Sequence, residues 1–105
     1  MEKIIFSKEV LDYFDNLVFT LFEKDYFGFP ESAEKYVNNI SEFIFFSIFT
    51  FSHRKTPKPL KYLGSEYIFY KPNARTTWYV FFEKRNQNYL ITGILNNYSE
   101  EAKEL

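Results

Sequence analysis

Apolar residues recur along this chain with changing period, and each change marks an element. The run KIIF at 3–6 is short, apolar and isoleucine-rich, which predicts a strand. Ser7 follows as an N-cap, its hydroxyl able to accept a free N–H of a first helical turn. From there Val10, Leu11, Phe14, Leu17, Val18, Leu21 and Phe22 recur at steps of three and four, the stripe of an amphipathic helix. FGFP at 27–30 ends that helix through Gly28 and Pro30. A second helix starts near Pro30 or Ser32, with Ala33, Val37, Ile40, Ile44 and Ile48 as its core stripe. Phe43, Phe45, Phe46, Phe49 and Phe51 fall outside that stripe, so this helix end is apolar nearly all round and needs cover on more than one side.

SHRKTPKPLKYLG at 52–64, with its prolines and basic residues, reads as a loop. Three runs with strand character follow: EYIFYK (66–71), TTWYVFFEK (76–84) and NYLITGILN (88–96), joined by short polar turns. Such runs predict an antiparallel meander. The acidic tail YSEEAKEL is helical or frayed. The order β-α-α-β-β-β makes residues 1–105 one α+β domain, with two N-terminal helices packed on a twisted, mainly antiparallel four-stranded sheet. In the central run, alternation puts Trp78, Val80 and Phe82 on one face, and Thr77, Tyr79, Phe81 and Glu83 on the other. The first set suits packing under the helices, which would leave the Tyr79 face open.

Charge adds a polarity that the net value of −1 conceals. Residues 1–52 hold four Lys/Arg against nine Asp/Glu, whereas residues 53–88 hold eight against two. An anionic partner responds to the local field of the second segment more than to the total. Aromatic residues form 23% of the chain and include 14 Phe, so most of them must build the core. Without cysteine there is neither a disulfide nor a thiolate metal site, and one histidine is too few for zinc. The first residues turn acidic too soon for a signal peptide, and the longest strongly apolar run, 43–51, is half a membrane span. These features predict a soluble cytoplasmic protein with no membrane partner and no cofactor.

The order and size of the elements resemble the RelE/ParE family of bacterial type II toxins. IIFSKEVLDYFDNL is similar to that family's opening strand and first helix, FPESAEKYVNNISEFI to its second helix, and PLKYLG to the stretch leading into the sheet. TTWYVFFEKRNQNYLITGILNN is similar to its paired central strands, so the resemblance covers nearly the whole chain. It implies a toxin held inactive by a cognate antitoxin. RelE-like members cut messenger RNA on the ribosome, and ParE-like members block DNA gyrase. Many RNA-cutting members carry Tyr-Arg on the first central strand and a Tyr or His after the last one. Here Trp78 stands at the Tyr position and Tyr79 where that Arg would stand, while Tyr98 follows LNN as the pattern asks.

Metal-free RNA cleavage needs a ribose 2′-hydroxyl aligned on the adjacent phosphate, a proton acceptor, and cations facing the charge that grows on the phosphate oxygens. The resemblance implies Arg75 and Tyr98 as the catalytic pair. Lys58 and Lys61, Tyr79, and Lys84 with Arg85 are candidates for contacts to RNA and the ribosome. His53 reads instead as a residue favoured by the C-terminal dipole of the second helix. Phe45 and Phe49 are candidates for a partner interface, covered by the antitoxin or by a second copy of the chain, one of them being interfacial and the other core. Two other functions fit the same chain: a gyrase inhibitor that acts by binding, and a silent family member that serves as a protein-binding module.

Overall fold

The computed structural model describes residues 3–23 and 30–105. Strand β1 (Lys3–Phe6) leads into helix α1 (Lys8–Glu23), and α2 (Pro30–Ser47) follows. Ser7 caps α1 as its position predicts, with the Val10 amide donating to Oγ at 3.2 Å. The expected stop at Gly28, and the side chains of Leu21 and Phe22, lie outside the described residues. Of the α1 stripe, Val10 and Phe14 are buried, Leu17 and Val18 pack at its margin, and Leu11 stays half-exposed. The α2 stripe of Ala33, Val37, Ile40, Ile44 and Ile48 is buried throughout, although the helix itself ends at Ser47.

The sheet has five strands in the order β1-β5-β4-β3-β2, against the four expected. The meander is present as β3 (Glu66–Tyr70), β4 (Trp78–Arg85) and β5 (Asn88–Asn96), all antiparallel. Strand β1 lies parallel to β5, with Lys3 opposite Asn88 and Phe6 opposite Ile91. The added strand is β2 (Arg54–Lys55), which pairs with Tyr67 and Glu66 inside the stretch predicted to be loop. Two residues carry no periodicity, so only the pairing reveals them. The rest of that stretch forms a 3₁₀ turn over Lys58–Leu63, and the acidic tail forms another over Glu100–Glu104.

Both helices cover one face of the sheet. There Trp78, Val80 and Phe82 pack with Ile68, Tyr89, Ile91 and Ile94 beneath Val10, Phe14, Val37, Ile40 and Ile44, as alternation in β4 predicts. In β5, alternation alone would put residues 91 and 94 on opposite faces. A bulge at Thr92 resolves this: Phe82 sits opposite Ile91 and Phe81 opposite Gly93, so one extra residue lies between them. The Trp78 indole N–H, buried beneath the helices, donates to the Tyr36 hydroxyl at 2.9 Å.

The other face of the sheet is not open, contrary to the sequence expectation. Phe81, Tyr67 and Leu95 are buried there with Leu60, and Leu63, Tyr79 and Leu105 pack at the margin. The 3₁₀ turn at 58–63 roofs this smaller cluster. Its seat depends on two glycines: a Cβ at Gly64 would lie 2.7 Å from the Phe82 amide nitrogen, and one at Gly93 would lie 2.9 Å from the Leu63 carbonyl oxygen. Thr92 Oγ1 donates to that same carbonyl at 2.6 Å, so the bulge residue fastens the roof it makes room for. Glu83 closes the next turn by accepting from the Ser65 amide and hydroxyl.

Candidate nucleic-acid interface

The connection from β3 to β4 is an irregular loop made rigid by asparagines. Asn73 Oδ1 accepts from the amides of Arg75 and Thr76, both at 2.9 Å, an Asx-type turn. Across from it, Asn97 Oδ1 accepts from the Thr77 amide at 2.9 Å, and the Asn97 amide donates to the Thr77 carbonyl at 3.0 Å. Asn97 Nδ2 and the Tyr98 hydroxyl then converge on the Arg75 carbonyl, at 3.0 and 2.9 Å. Asn96 Oδ1 accepts from the Tyr98 amide at 2.9 Å, which steadies the turn after β5. Two segments more than 20 residues apart are thereby stapled at one end of the sheet, with the Arg75 side chain exposed and Tyr98 69% exposed.

Arg75 and Tyr98, paired by the sequence reading, are thus adjacent. The contact runs through the Arg75 backbone, so the guanidinium is free to meet a ligand. The Tyr98 hydroxyl spends its proton on a carbonyl that can only accept. Its oxygen keeps acceptor capacity, but proton transfer from it requires that this bond be exchanged.

The other candidates separate. Lys58 and Lys61 are exposed on the 3₁₀ turn that roofs the second face. Tyr79 is half-buried on that face, with its ring 6.0 Å from Tyr67 in an edge contact. Lys84 and Arg85 are at the opposite end of β4 from Arg75, beyond an eight-residue strand, roughly 25 Å in length. Lys84 Nζ sits 5.1 Å from the centre of the Tyr89 ring, on the helix-covered side. No single ligand-sized site holds all of these residues. His53 Nε2 donates to the Ile48 carbonyl at 2.6 Å just past the end of α2, and its ring packs edge-on against Phe82. That is a structural post for the chain leaving the helix.

Sequence reading missed Arg54 and Phe69. Arg54 lies opposite Tyr67 in the β2–β3 pair, and its guanidinium carbon sits 5.1 Å from the centre of the Phe69 ring. The signal was a basic residue before the sheet, hidden by prolines that made the whole stretch look like loop. The charge pattern is reinforced by what the cations do not touch. Among the described residues the one cation–carboxylate pair within 4 Å is Lys103–Glu100, so the eight Lys and Arg of 53–88 have no carboxylate partner there. Glu83, one of only two acids in that segment, is taken by Ser65.

On the helix layer, Phe45 and Phe49 are both half-exposed, so neither is the core residue that one of them was expected to be. Phe45 leans on Phe6 at 5.7 Å, Phe49 meets Tyr89 edge-on at 5.3 Å, and Phe46 is 78% exposed. A groove of about 420 Å³ runs between α1 and α2, floored by Phe14, Val18 and Val37 and flanked by Asp15 and Glu34. Among the described residues no three His, Cys, Asp or Glu side chains are grouped to hold a metal ion, and no helix is long and apolar enough to cross a membrane. No family model matches the chain, and neither does any curated protein or solved structure.

Proposed function

We propose that this chain is the toxin of a bacterial type II toxin–antitoxin pair with a RelE/ParE-like fold, and that it arrests translation by cutting messenger RNA on the ribosome without a metal. The observation that carries the reading is the stapled loop of 71–77, which joins Tyr98 to the backbone of Arg75 and leaves the Arg75 side chain exposed. Support also comes from the element order around two helices and a meander, and from the unpaired cations of 53–88. In this reading the ribosome aligns the messenger, and Arg75 balances charge growing on the phosphate as the 2′-hydroxyl attacks. As the 2′-oxygen bonds to phosphorus and the bond to the 5′-oxygen breaks, Tyr98 turns its hydroxyl from the Arg75 carbonyl to the substrate. It gives its proton to the departing 5′-oxygen and takes the 2′-hydroxyl proton in exchange, leaving a 2′,3′-cyclic phosphate. Lys58 and Lys61 hold ribosomal RNA, and with Tyr79 where the family has Arg, the electrostatic role falls on Arg75. The cognate antitoxin covers Phe45 and Phe49 in the cytoplasm, with self-association through the same patch as the rival.

One observation favours a second reading, inhibition by binding alone, as in gyrase-directed members: the Tyr98 proton is committed to a backbone carbonyl. Induced expression in bacteria, with translation and DNA synthesis followed separately, tests the two. Translation should fall first, and Arg75→Ala should restore growth while the protein stays folded. DNA synthesis falling first gives the gyrase reading, and unimpaired growth leaves a protein-binding module.

A further inference from the structure

We propose that Arg54, backed by Phe69 and bordered by Tyr79, is a stacking shelf for an unpaired base of single-stranded nucleic acid. This inference rests on the preceding reading only for the identity of the strand as RNA. Strand register carries the geometry. Arg54 lies opposite Tyr67, so the two share a face, and that face is the one roofed by the 58–63 turn. Phe69, two residues beyond Tyr67, points the same way, and Tyr79 lies directly opposite Phe69 in β4. The roof buries Tyr67, Phe81 and Leu95, whereas Phe69 and Tyr79 are only half-buried beside it. Arg54 is exposed, its guanidinium rests against the Phe69 ring at 5.1 Å, and no carboxylate lies within 4 Å of it among the described residues.

A guanidinium lying against a ring loses rotational freedom before any ligand arrives. A guanidinium is planar, so it can stack on a base while its edge N–H groups meet a phosphate. Tyr79, opposite Phe69 on the neighbouring strand, adds a second aromatic side chain on the same face. A ligand that fits must offer flat π-faces joined by anions, which single-stranded nucleic acid does and an acidic peptide does not. Lys71, directly after β3, and Arg75 on the stapled loop continue the unpaired cations toward the sheet end that carries Tyr98. The shelf gives the strand a fixed point from which its backbone reaches that end.

The test uses fluorescein-labelled 2′-O-methyl ribonucleotide octamers, which cannot be cleaved, and the same length of abasic strand. Fluorescence anisotropy on the full chain should show the base-bearing strand bound about tenfold more tightly than the abasic one. Arg54→Lys keeps the charge and removes the plane. It should erase that preference while leaving the salt dependence unchanged. Arg54→Ala should also reduce the salt slope, by about 0.7 for one phosphate no longer neutralised on a single strand. Phe69→Leu, checked by circular dichroism for an intact fold, should resemble Arg54→Lys. Equal binding of both strands by the wild type, or an unchanged preference in Arg54→Lys, overturns the shelf in favour of charge alone. Expression of the wild type in cells separates this from the toxin reading. Translation arrest without base preference removes the shelf and keeps the toxin, whereas base preference without arrest does the reverse.

Discussion

The two faces of one sheet are built on different terms. Under the helices, 13 buried residues from α1, α2, Ile48 just past α2, and three strands form a single cluster, with Phe82 at its floor. On the other face the buried cluster among the described residues has only four hydrophobic members, and their cover is a six-residue 3₁₀ turn and Leu105. Adjacent residues of β4, Phe81 and Phe82, are equally shielded from water but belong to different clusters. Shielding alone therefore does not rank them. The difference to test is the cover: two packed helices on one side, and on the other a short turn tied by Thr92 and seated on glycines. The sturdy face carries the fold, and the lightly roofed one has Arg54, Lys58 and Lys61 at its border.

The largest effect should come from emptying the sturdy face. Phe82→Ala removes a ring from the sheet beneath two helices that cannot close the space, at a cost of about 3–5 kcal/mol, a large part of a typical margin of about 5–15. Phe81→Ala leaves a space into which Leu60 and Leu63 can sink, so its loss should be smaller by about 1 kcal/mol or more. Urea titrations of both variants measure the gap, and equal losses would show that the roof is as stiff as the helices. Gly64→Ala comes next. It forces a Cβ to within 2.7 Å of the Phe82 nitrogen at a φ of +155°, strain of about 1–3 kcal/mol. Its signature is local: amide hydrogen exchange should quicken across 58–64 and stay slow in α2, and uniform quickening would make the two faces one cooperative unit.

How much of this was legible depended on whether an element has a period. Ile40, Ile44 and Ile48 declare their face at helical spacing, and all are buried. Trp78, Val80 and Phe82 do the same at strand spacing. Strand β2 has two residues and no period, so the stretch around it read as loop and Arg54 was passed over. The roof was illegible for another reason. Phe81 and Phe82 are chemically identical, and only the long-range seating of 58–63 on Gly93 decides that the first is covered. At the candidate site, the resemblance named Tyr98 and Arg75, but nothing in the sequence showed the staple between them. It is made by Asn73, Asn96 and Asn97, whose amides read in sequence only as turn formers.

A smaller effect distinguishes the helix-covered face by pH. Tyr13 packs edge-on against Trp78, and its burial there raises the phenol above its ordinary value of 10.0. The unfolded chain then releases this proton at lower pH than the folded one, and above that point holds fewer protons. Stability from the neutral phenol is accordingly complete below about pH 10 and is lost as pH rises through the folded-state value. Thermal melts in alkaline buffers should show a decline that Tyr13→Phe makes shallower. An identical decline in Tyr13→Phe would mean that this phenol is hydrated in the native state.

The smallest effect on stability should come from Phe46, the most exposed aromatic ring on the helix layer among the described residues, and its smallness is what makes it informative. Phe46 is 78% exposed and Phe45 only 49%, although they are neighbours on α2. Phe45 no longer reaches Phe6 when shortened, so Phe45→Ser should cost about 1 kcal/mol, within the range for an aromatic pair. Phe46 touches little of the chain, and Phe46→Ser should fall within about 0.5 kcal/mol of the wild type. Urea midpoints give both values, and light scattering on the same samples gives the mass. If Phe46→Ser costs as much as Phe45→Ser and also lowers the mass, the ring is buried against a second copy in solution. The contrast then changes, because the helix layer would bear an interface between copies as well as the core. If the midpoint and mass are unchanged, the ring stands free in the isolated chain, and a different protein is left as its cover.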